Sequence, residues 1–392
     1  MARFLFVVPP MTGHTNPTLA VAAELSARGH EPAWCGYAEP LSQLLPEDAR
    51  RYGLGADLPQ DYLSDLAERA RAVRGLAGLK FLWEDVLLPL AREMTPGVDR
   101  AIQAFQPDVL IADQQAFAGA FAARRASIPW ATSATTSADR RISLESIPKV
   151  LAWAERRLTE LQVELGLEPV LEPENSPYRV IVFSTPALFG EMPHHDERYA
   201  YVGPSLTPRP DKTPFPYEEL LDVPRVFASL GTLNAERGQR FYAALAEGLG
   251  DDSDSPALQV ICVAPKELGP FPKNFLVRPR VPQLDLLPKM DAVICHGGHN
   301  TTTEALTHAL PLVVCPIKDD QPVVAQQVAD SGCGLRLSFT RPRPAHIAEA
   351  IDRVLNEPSF KEAAQRIRDS FTAAGGPARA ADHLEALIGA AS

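Results

Sequence analysis

"RVPQLDLLPKMDAVICHGGHNTTTEALTHALPLVVCPIKDDQ", residues 280–321, decides the fold. "DAVICH" (291–296) reads as a buried strand, the stretch from about residue 300 as a helix, and "PLVVCP" (311–316) as a second strand. Strands that are apolar throughout, with a helix between them, belong to a parallel sheet covered on both faces. The junction carries two glycines, two histidines and a row of threonines, where an ordinary connection needs one turn residue. Ligands of such sheets sit outside the carboxyl ends of the strands. The unpaired amides and the dipole of the following helix make an anion site there. Gly297 and Gly298 allow close backbone approach. His296 can donate a further bond, Asn300 and Thr301 can cap the helix or donate to the same anion, and Glu304 lies one turn further on, within reach of a neutral diol. Taken alone, the junction reads first as an ordinary capped helix behind a tight glycine turn.

Working outward, the same alternation fills the chain. "RVFASLGT" (225–232), a helix near 235–249, "LQVICVA" (258–264) and a helix over 321–331 complete the second half, which ends in amphipathic helices near 345–355 and 359–388. In the first half, "RFLFVVP" (3–9), a helix over 16–30 closed by Gly29, "DVLIAD" (108–113), an Ala-rich helix over 116–125 and "VIVFST" (180–185) repeat the pattern. Between the halves, "PSLTPRPDKTPFPYEELLDVP" (204–224) has six prolines and little periodicity, which suits a stiff linker. The expected organisation is an N-terminal domain over 1–205, a linker over 206–224, a second domain over 225–373, and a C-terminal helix over 374–392 that packs back on the first domain. The fold class is α/β, two tandem doubly wound Rossmann-like domains facing each other across a cleft.

Composition narrows the partners. With 392 residues, 45% hydrophobic and 22% charged, the chain can bury two cores. A net charge of −11 argues against nucleic acid or an anionic membrane as the main partner. No apolar run is long enough for a membrane span, and the opening "MARFLFVVPP" lacks a signal-peptide pattern. Five cysteines without CxxC spacing read as reduced, buried thiols of a cytoplasmic protein. His194 and His195 lack a third ligand at useful spacing and read as loop residues, so no metal site is expected.

The 280–321 segment resembles the donor-binding signature of nucleotide-sugar glycosyltransferases of GT-B fold, the group that includes bacterial antibiotic and macrolide enzymes and plant natural-product glucosyltransferases. The signature runs from "(Trp/Phe)-x-Pro-Gln" through "His-x-Gly-x-Asn-(Ser/Thr)-x-x-Glu" to "Asp-Gln". The resemblance implies that His296 and Gly298 contact a pyrophosphate, supported by Gly297, Asn300 and Thr301, and that Glu304 binds the donor ribose. It assigns Val281, with Gln283 nearby, to the base, and Asp320 and Gln321 to the sugar hydroxyls. The resemblance also implies that Ser229, Gly231 and Thr232 of "SLGT" face the same phosphates. Two departures stand out. Arg280 replaces the aromatic that stacks on the base, although a guanidinium plane can stack too, and Val324 replaces a frequent asparagine.

"PPMTGHTNP" (9–17) follows the first strand. A lone loop histidine is more often structural, yet histidine is also the commonest general base. The family's "Gly-His-x-x-Pro" matches Gly13, His14 and Pro17, which implies that His14 deprotonates the acceptor. Asp113 reads from its position as a helix cap; the resemblance makes it the partner that orients the imidazole. The implied reaction is one inverting displacement, moving a hexose or deoxyhexose from a UDP- or dTDP-sugar to a small apolar acceptor such as a polyketide, macrolide or aromatic aglycone. No cofactor beyond that donor and no obligatory metal are expected. Phe81, Trp83 and Leu144 are candidates for the acceptor pocket, against the simpler reading of an amphipathic helix core. A sugar-nucleotide epimerase of the same fold would not need His14, and a non-catalytic helper protein could lose the site residues that are kept here. An NAD-dependent enzyme is disfavoured, since no GxGxxG follows the first strand.

Overall fold

The computed structural model describes residues 1–55, 65, 66, 68, 69, 73, 75–136, 144, 147–190, 192, 196–207, 213–231 and 238–390. Thr232, His194 and His195 lie outside the described residues, as does part of the proline-rich segment.

The chain divides into two compact units. The first comprises Met1–Ser184, Met192–Thr207 and Ala374–Ser392; the second comprises Thr185–Glu191 and Pro208–Ala373. Each is built on a parallel sheet. In the first unit the strands are β1 (Arg3–Val7), β2 (Glu31–Gly36), β3 (Arg50–Gly53), β4 (Val109–Asp113), β5 (Trp130–Ala134), β6 (Arg179–Val182) and β7 (Tyr199–Tyr201), in the order β3-β2-β1-β4-β5-β6-β7. In the second they are β8 (Arg225–Ser229), β9 (Gln259–Val263), β10 (Phe275–Arg278), β11 (Ala292–Cys295), β12 (Leu312–Val314) and β13 (Gly334–Arg336), in the order β10-β9-β8-β11-β12-β13. The order therefore reverses between β1 and β4 in one sheet and between β8 and β11 in the other. At such a reversal neighbouring connections leave on opposite faces, and a crevice opens at the strand ends.

Strand alternation sends side chains to both faces of each sheet. Leu5, Val7, Leu110 and Ala112 pack on one side of the first sheet, against helices Leu88–Phe105 and Phe117–Ala126. Phe4, Phe6, Val109 and Ile111 pack on the other, against helix Thr12–Ala27 and the last helix, Gly376–Glu385. Ala380, Ala381 and Leu384 of that last helix are core residues of the first unit. Arg28 holds the same helix through Asp382 and Glu385, at 2.8 and 2.7 Å. In the second unit Val226, Ala228, Val260 and Ile294 meet helices Gln239–Leu249 and Pro344–Asn356. All five cysteines are free and buried. Among the described residues, no helix is long and apolar enough to cross a membrane.

Three sequence expectations are corrected. Helix Thr12–Ala27 starts ahead of Asn16, with the His14 and Thr15 amides donating to the Met11 carbonyl at 3.1 and 3.2 Å. Pro17 therefore lies inside a helix that it was expected to open, and His14 sits in a first turn instead of a loop. The last expected helix is two, Pro358–Ala374 and Gly376–Glu385, because Gly375 and Gly376 at φ +88° and +57° end one and redirect the chain into the other. Thr185–Glu191, expected in the first domain, packs with the second, where the Thr185 hydroxyl meets that of Ser370 at 2.7 Å.

Candidate active site

Both candidate centres stand at the reversal points. In the first unit β4 delivers Asp113 at its carboxyl end, and the turn after β1 delivers His14. The His14 ring Nδ1 lies 2.9 and 3.0 Å from the two carboxylate oxygens of Asp113. Thr135, one residue past β5, brings its hydroxyl to 2.8 Å from the same nitrogen and donates to Asp113 Oδ2 at 2.7 Å. The Gln115 amide donates to Oδ1 at 2.8 Å. Asp113 and Thr135 are buried, at 2% and 3% exposure, while His14 keeps 9%. A buried carboxylate needs donors on both oxygens, and here it has them. Thr135 was missed from the sequence, where it is one threonine in "ATSATTS" with nothing to mark it.

In the second unit β8 and β11 are neighbours in register, Ser229 opposite Cys295, so their two following loops lie side by side. A Cβ on Gly231 would stand 2.7 Å from the His296 ring, and one on Gly298 2.6 Å from it. The imidazole therefore fits only because both neighbours lack side chains. Gly297, at φ +86°, has Val314 and the Gln321 main chain where a Cβ would go, at 2.9 and 3.2 Å. His296 Nδ1 is buried without a hydrogen-bonding partner. Burial pushes this imidazole down to about 4, opposed only in part by the Ser229 main chain. At neutral pH it is an uncharged N–H donor rather than a cation.

The helix after β11 spans His299–Thr307, with Gly298 as its N-cap and no side-chain cap bond. Asn300 and Thr301 thus lie inside the first turn and not at its cap. Glu304 is 1% exposed, and its carboxylate accepts Gln283 Nε2 at 2.6 Å. The same amide nitrogen approaches the Thr301 hydroxyl at 3.5 Å. Gln283, Thr301 and Glu304 are therefore one group. Arg280 is exposed and Val281 half-buried on the segment after β10. Asp320 stands at the N-cap of helix Gln321–Asp330. Gln321 turns its carbonyl oxygen back onto the amides of Ile317 and Lys318, at 2.8 and 3.0 Å, so only its NH2 group is left for a ligand. Val324 is 1% exposed and serves the core.

Trp83 and Leu144 are 5% and 3% exposed and belong to the first unit's core; Phe81 is half-buried, 5.2 Å beneath the Arg69 guanidinium. Trp83 contacts Phe117 and Trp153, with centroids 6.1 and 6.0 Å apart. It stands on a π-helical turn, Leu82–Leu87, set within a longer helix. Among the described residues, no three His, Cys, Asp or Glu side chains are grouped to hold a metal ion.

Residues 259–387 match the family model of the erythromycin biosynthesis protein CIII-like C-terminal domain. Demethyllactenocin mycarosyltransferase of Streptomyces fradiae is 29% identical over 419 residues, covering 100% of this chain and 88% of that protein. The uncharacterized UDP-glucosyltransferase YojK of Bacillus subtilis (strain 168) is 28% identical, covering 98% of this chain and 97% of its own. The crystal structure of the calicheamicin glycosyltransferase CalG4 superposes with a TM-score of 0.80 at 24% identity, covering 99% of this chain and 98% of the other. The chain has the GT-B fold and is similar to these glycosyltransferases along nearly its whole length. The region matched by the family model runs from β9 to the last helix and so contains the whole His296 loop.

Proposed function

We propose that this protein is a glycosyltransferase that moves a hexose or deoxyhexose from a UDP- or dTDP-sugar to a hydroxyl of a small, largely apolar natural product, with inversion at the anomeric carbon. The observation that carries the reading is the His14–Asp113 pair. A carboxylate held 2.9 Å from Nδ1 fixes the proton on that nitrogen and leaves Nε2 as the basic one. Nε2 then takes the acceptor's hydroxyl proton while the oxygen attacks the anomeric carbon. The sugar–phosphate bond breaks and its electron pair leaves on the nucleoside diphosphate.

The charge that develops on the leaving group needs preorganised donors. His296, the amides of the His299–Thr307 first turn and Ser229 would supply them, and none carries a formal charge at pH 7. Glu304, presented with Gln283, would take the ribose diol. Asp320 would accept from sugar hydroxyls, and the Gln321 NH2 group would donate to them. The acceptor is read as a small natural product from the likeness to the calicheamicin and mycarosyl enzymes. We read the transfer as independent of metal, so full activity in excess chelator is expected, and its loss with recovery on magnesium would overturn that part.

The decisive experiment replaces His14 with Ala. Transfer should fall by ~10²–10⁴-fold, the share that a positioned base contributes. Calorimetric affinity for UDP or dTDP should stay within about twofold, since none of the proposed diphosphate donors is touched. Retained transfer would remove His14 from the role of base.

A further inference from the structure

We infer that Gln321 is a positioning residue, whose side-chain oxygen closes the turn that aims Asp320; this rests on Asp320 being the carboxylate that takes the sugar hydroxyls. The turn follows β12. Gln321 Oε1 accepts the amides of Ile317 and Lys318 at 2.8 and 3.0 Å, and the Gln321 amide donates back to the Lys318 carbonyl at 3.2 Å. Lys318, Asp319, Asp320 and Gln321 are thereby enclosed by bonds running in both directions. Inside that ring Asp319 stands at φ +55°, followed by Asp320 at φ −78° and ψ −12°. A positive φ at the first central residue of a tight turn is ordinarily supplied by glycine.

A side chain at such a φ is strained, and the strain persists only where the surroundings over-determine it. Gln106 and Ser127, also at positive φ, are helix C-caps, where that conformation is ordinary; Asp319 precedes a helix instead. Its own side chain is exposed, and its ion pair with Lys318 at 3.3 Å is of the exposed kind that holds little. The Gln321 oxygen supplies the hold. Gln321 is 5% exposed, and one buried acceptor fixes two main-chain N–H groups that water would reach poorly. The far end of the ring is seated as well. A Cβ on Gly297 would meet the Gln321 main-chain oxygen at 3.2 Å, so the turn rests on the loop that carries His296. Without the side-chain oxygen, Asp319 relaxes to negative φ and carries Asp320 with it.

The test separates the oxygen of Gln321 from its NH2 group. Gln321→Glu keeps an acceptor for both amides and stands at the first residue of its helix, where a carboxylate is favoured, whereas Gln321→Leu removes both functions. Calorimetry gives each variant's affinity for UDP and UDP-glucose, or for dTDP and dTDP-glucose. The ratio within a pair isolates the sugar, because a new charge near the diphosphate acts on both members. Asp320→Ala should shift that ratio roughly tenfold against the sugar, the worth of one hydrogen bond to a charged group. Gln321→Glu should shift it about threefold, the share of the NH2 group, and Gln321→Leu roughly thirtyfold. Because the oxygen acts through Asp320, the double variant Asp320→Ala/Gln321→Leu should match Gln321→Leu alone. A second readout needs no ligand: hydrogen exchange at the Ile317 and Lys318 amides should be fast in Gln321→Leu and slow in Gln321→Glu. Equal shifts in the Glu and Leu variants, or exchange in Gln321→Leu as slow as in the wild type, would overturn the inference. An unchanged ratio in Asp320→Ala would overturn the sugar reading and the inference with it, and the exchange rates would then show whether the turn is still closed by Gln321.

Discussion

His14 and His296 are the same residue type at equivalent places, each beside the point where a parallel sheet reverses its order, and their surroundings give them opposite chemistry. His14 has a buried carboxylate and a hydroxyl against Nδ1, so a protonated ring there lies next to its counter-ion. His296 has glycines on two sides and no partner on Nδ1, and burial holds it neutral down to about pH 4. The contrast teaches that the fold supplies the location and the neighbours supply the role. A base must be able to gain a proton in the reaction, whereas a donor to a developing anion serves without changing charge.

The contrast can be broken from either side. The largest effect is expected from Asp113→Asn. The carboxamide NH2 can donate to the Nδ1 lone pair and so strands the ring proton on Nε2, so kcat should fall about 10³–10⁴-fold while diphosphate affinity is retained. Steady-state kinetics with calorimetry would test this, and a loss below tenfold would dissolve the pairing. Next, Gly298→Ala places a methyl 2.6 Å from the His296 ring, which Gly231 closes from another side. The ring must move, and the affinity for UDP or dTDP should drop about 10- to 100-fold, as for the loss of one or two hydrogen bonds to a charged ligand.

His296→Gln sharpens the comparison through pH. The folded-state value of about 4 lies below the ordinary 6.5, so between those values the unfolded chain binds the extra proton. Stability is then fully present above about pH 6.5 and declines as pH falls towards 4. This group should account for roughly 1–3 kcal/mol of that decline. Denaturant titrations at pH 7 and 4.5 should show a smaller acid loss in the variant. An equal loss would assign the slope to other groups, such as His308, which burial also lowers. The smallest effect is a control. Arg28→Ala removes the exposed ion pairs to Asp382 and Glu385 and should cost about 0.5–1 kcal/mol while leaving kcat and diphosphate affinity unchanged.

The strand–helix order, the anion-binding turn and the glycines beside His296 were legible because each depends on a few consecutive residues. Hydrophobic runs mark buried strands, and positive φ at Gly297 needs a residue without Cβ. What escaped depends on chain segments meeting from afar. Thr135 acts on Asp113 from 22 residues away and on His14 from 121. The pairing of Gln283 with Glu304 and the crossing of Thr185–Glu191 into the second unit leave no local trace either. The cap was misplaced too: Asn300 has the preference, but the helix already begins at His299 and Gly298 takes the position.

The cysteines give the chain a way to report its own opening. Cys35 alone lies in the first unit, while Cys262, Cys295, Cys315 and Cys333 lie in the second, and burial raises every one of their pKa values, Cys35 and Cys262 to about 12. A soluble alkylating reagent should leave the native chain unmarked and tag a thiol only when its surroundings come apart. A mass spectrum taken during partial denaturation would then act as a counter. One adduct would mark the half that carries His14, and four would mark the half that carries His296.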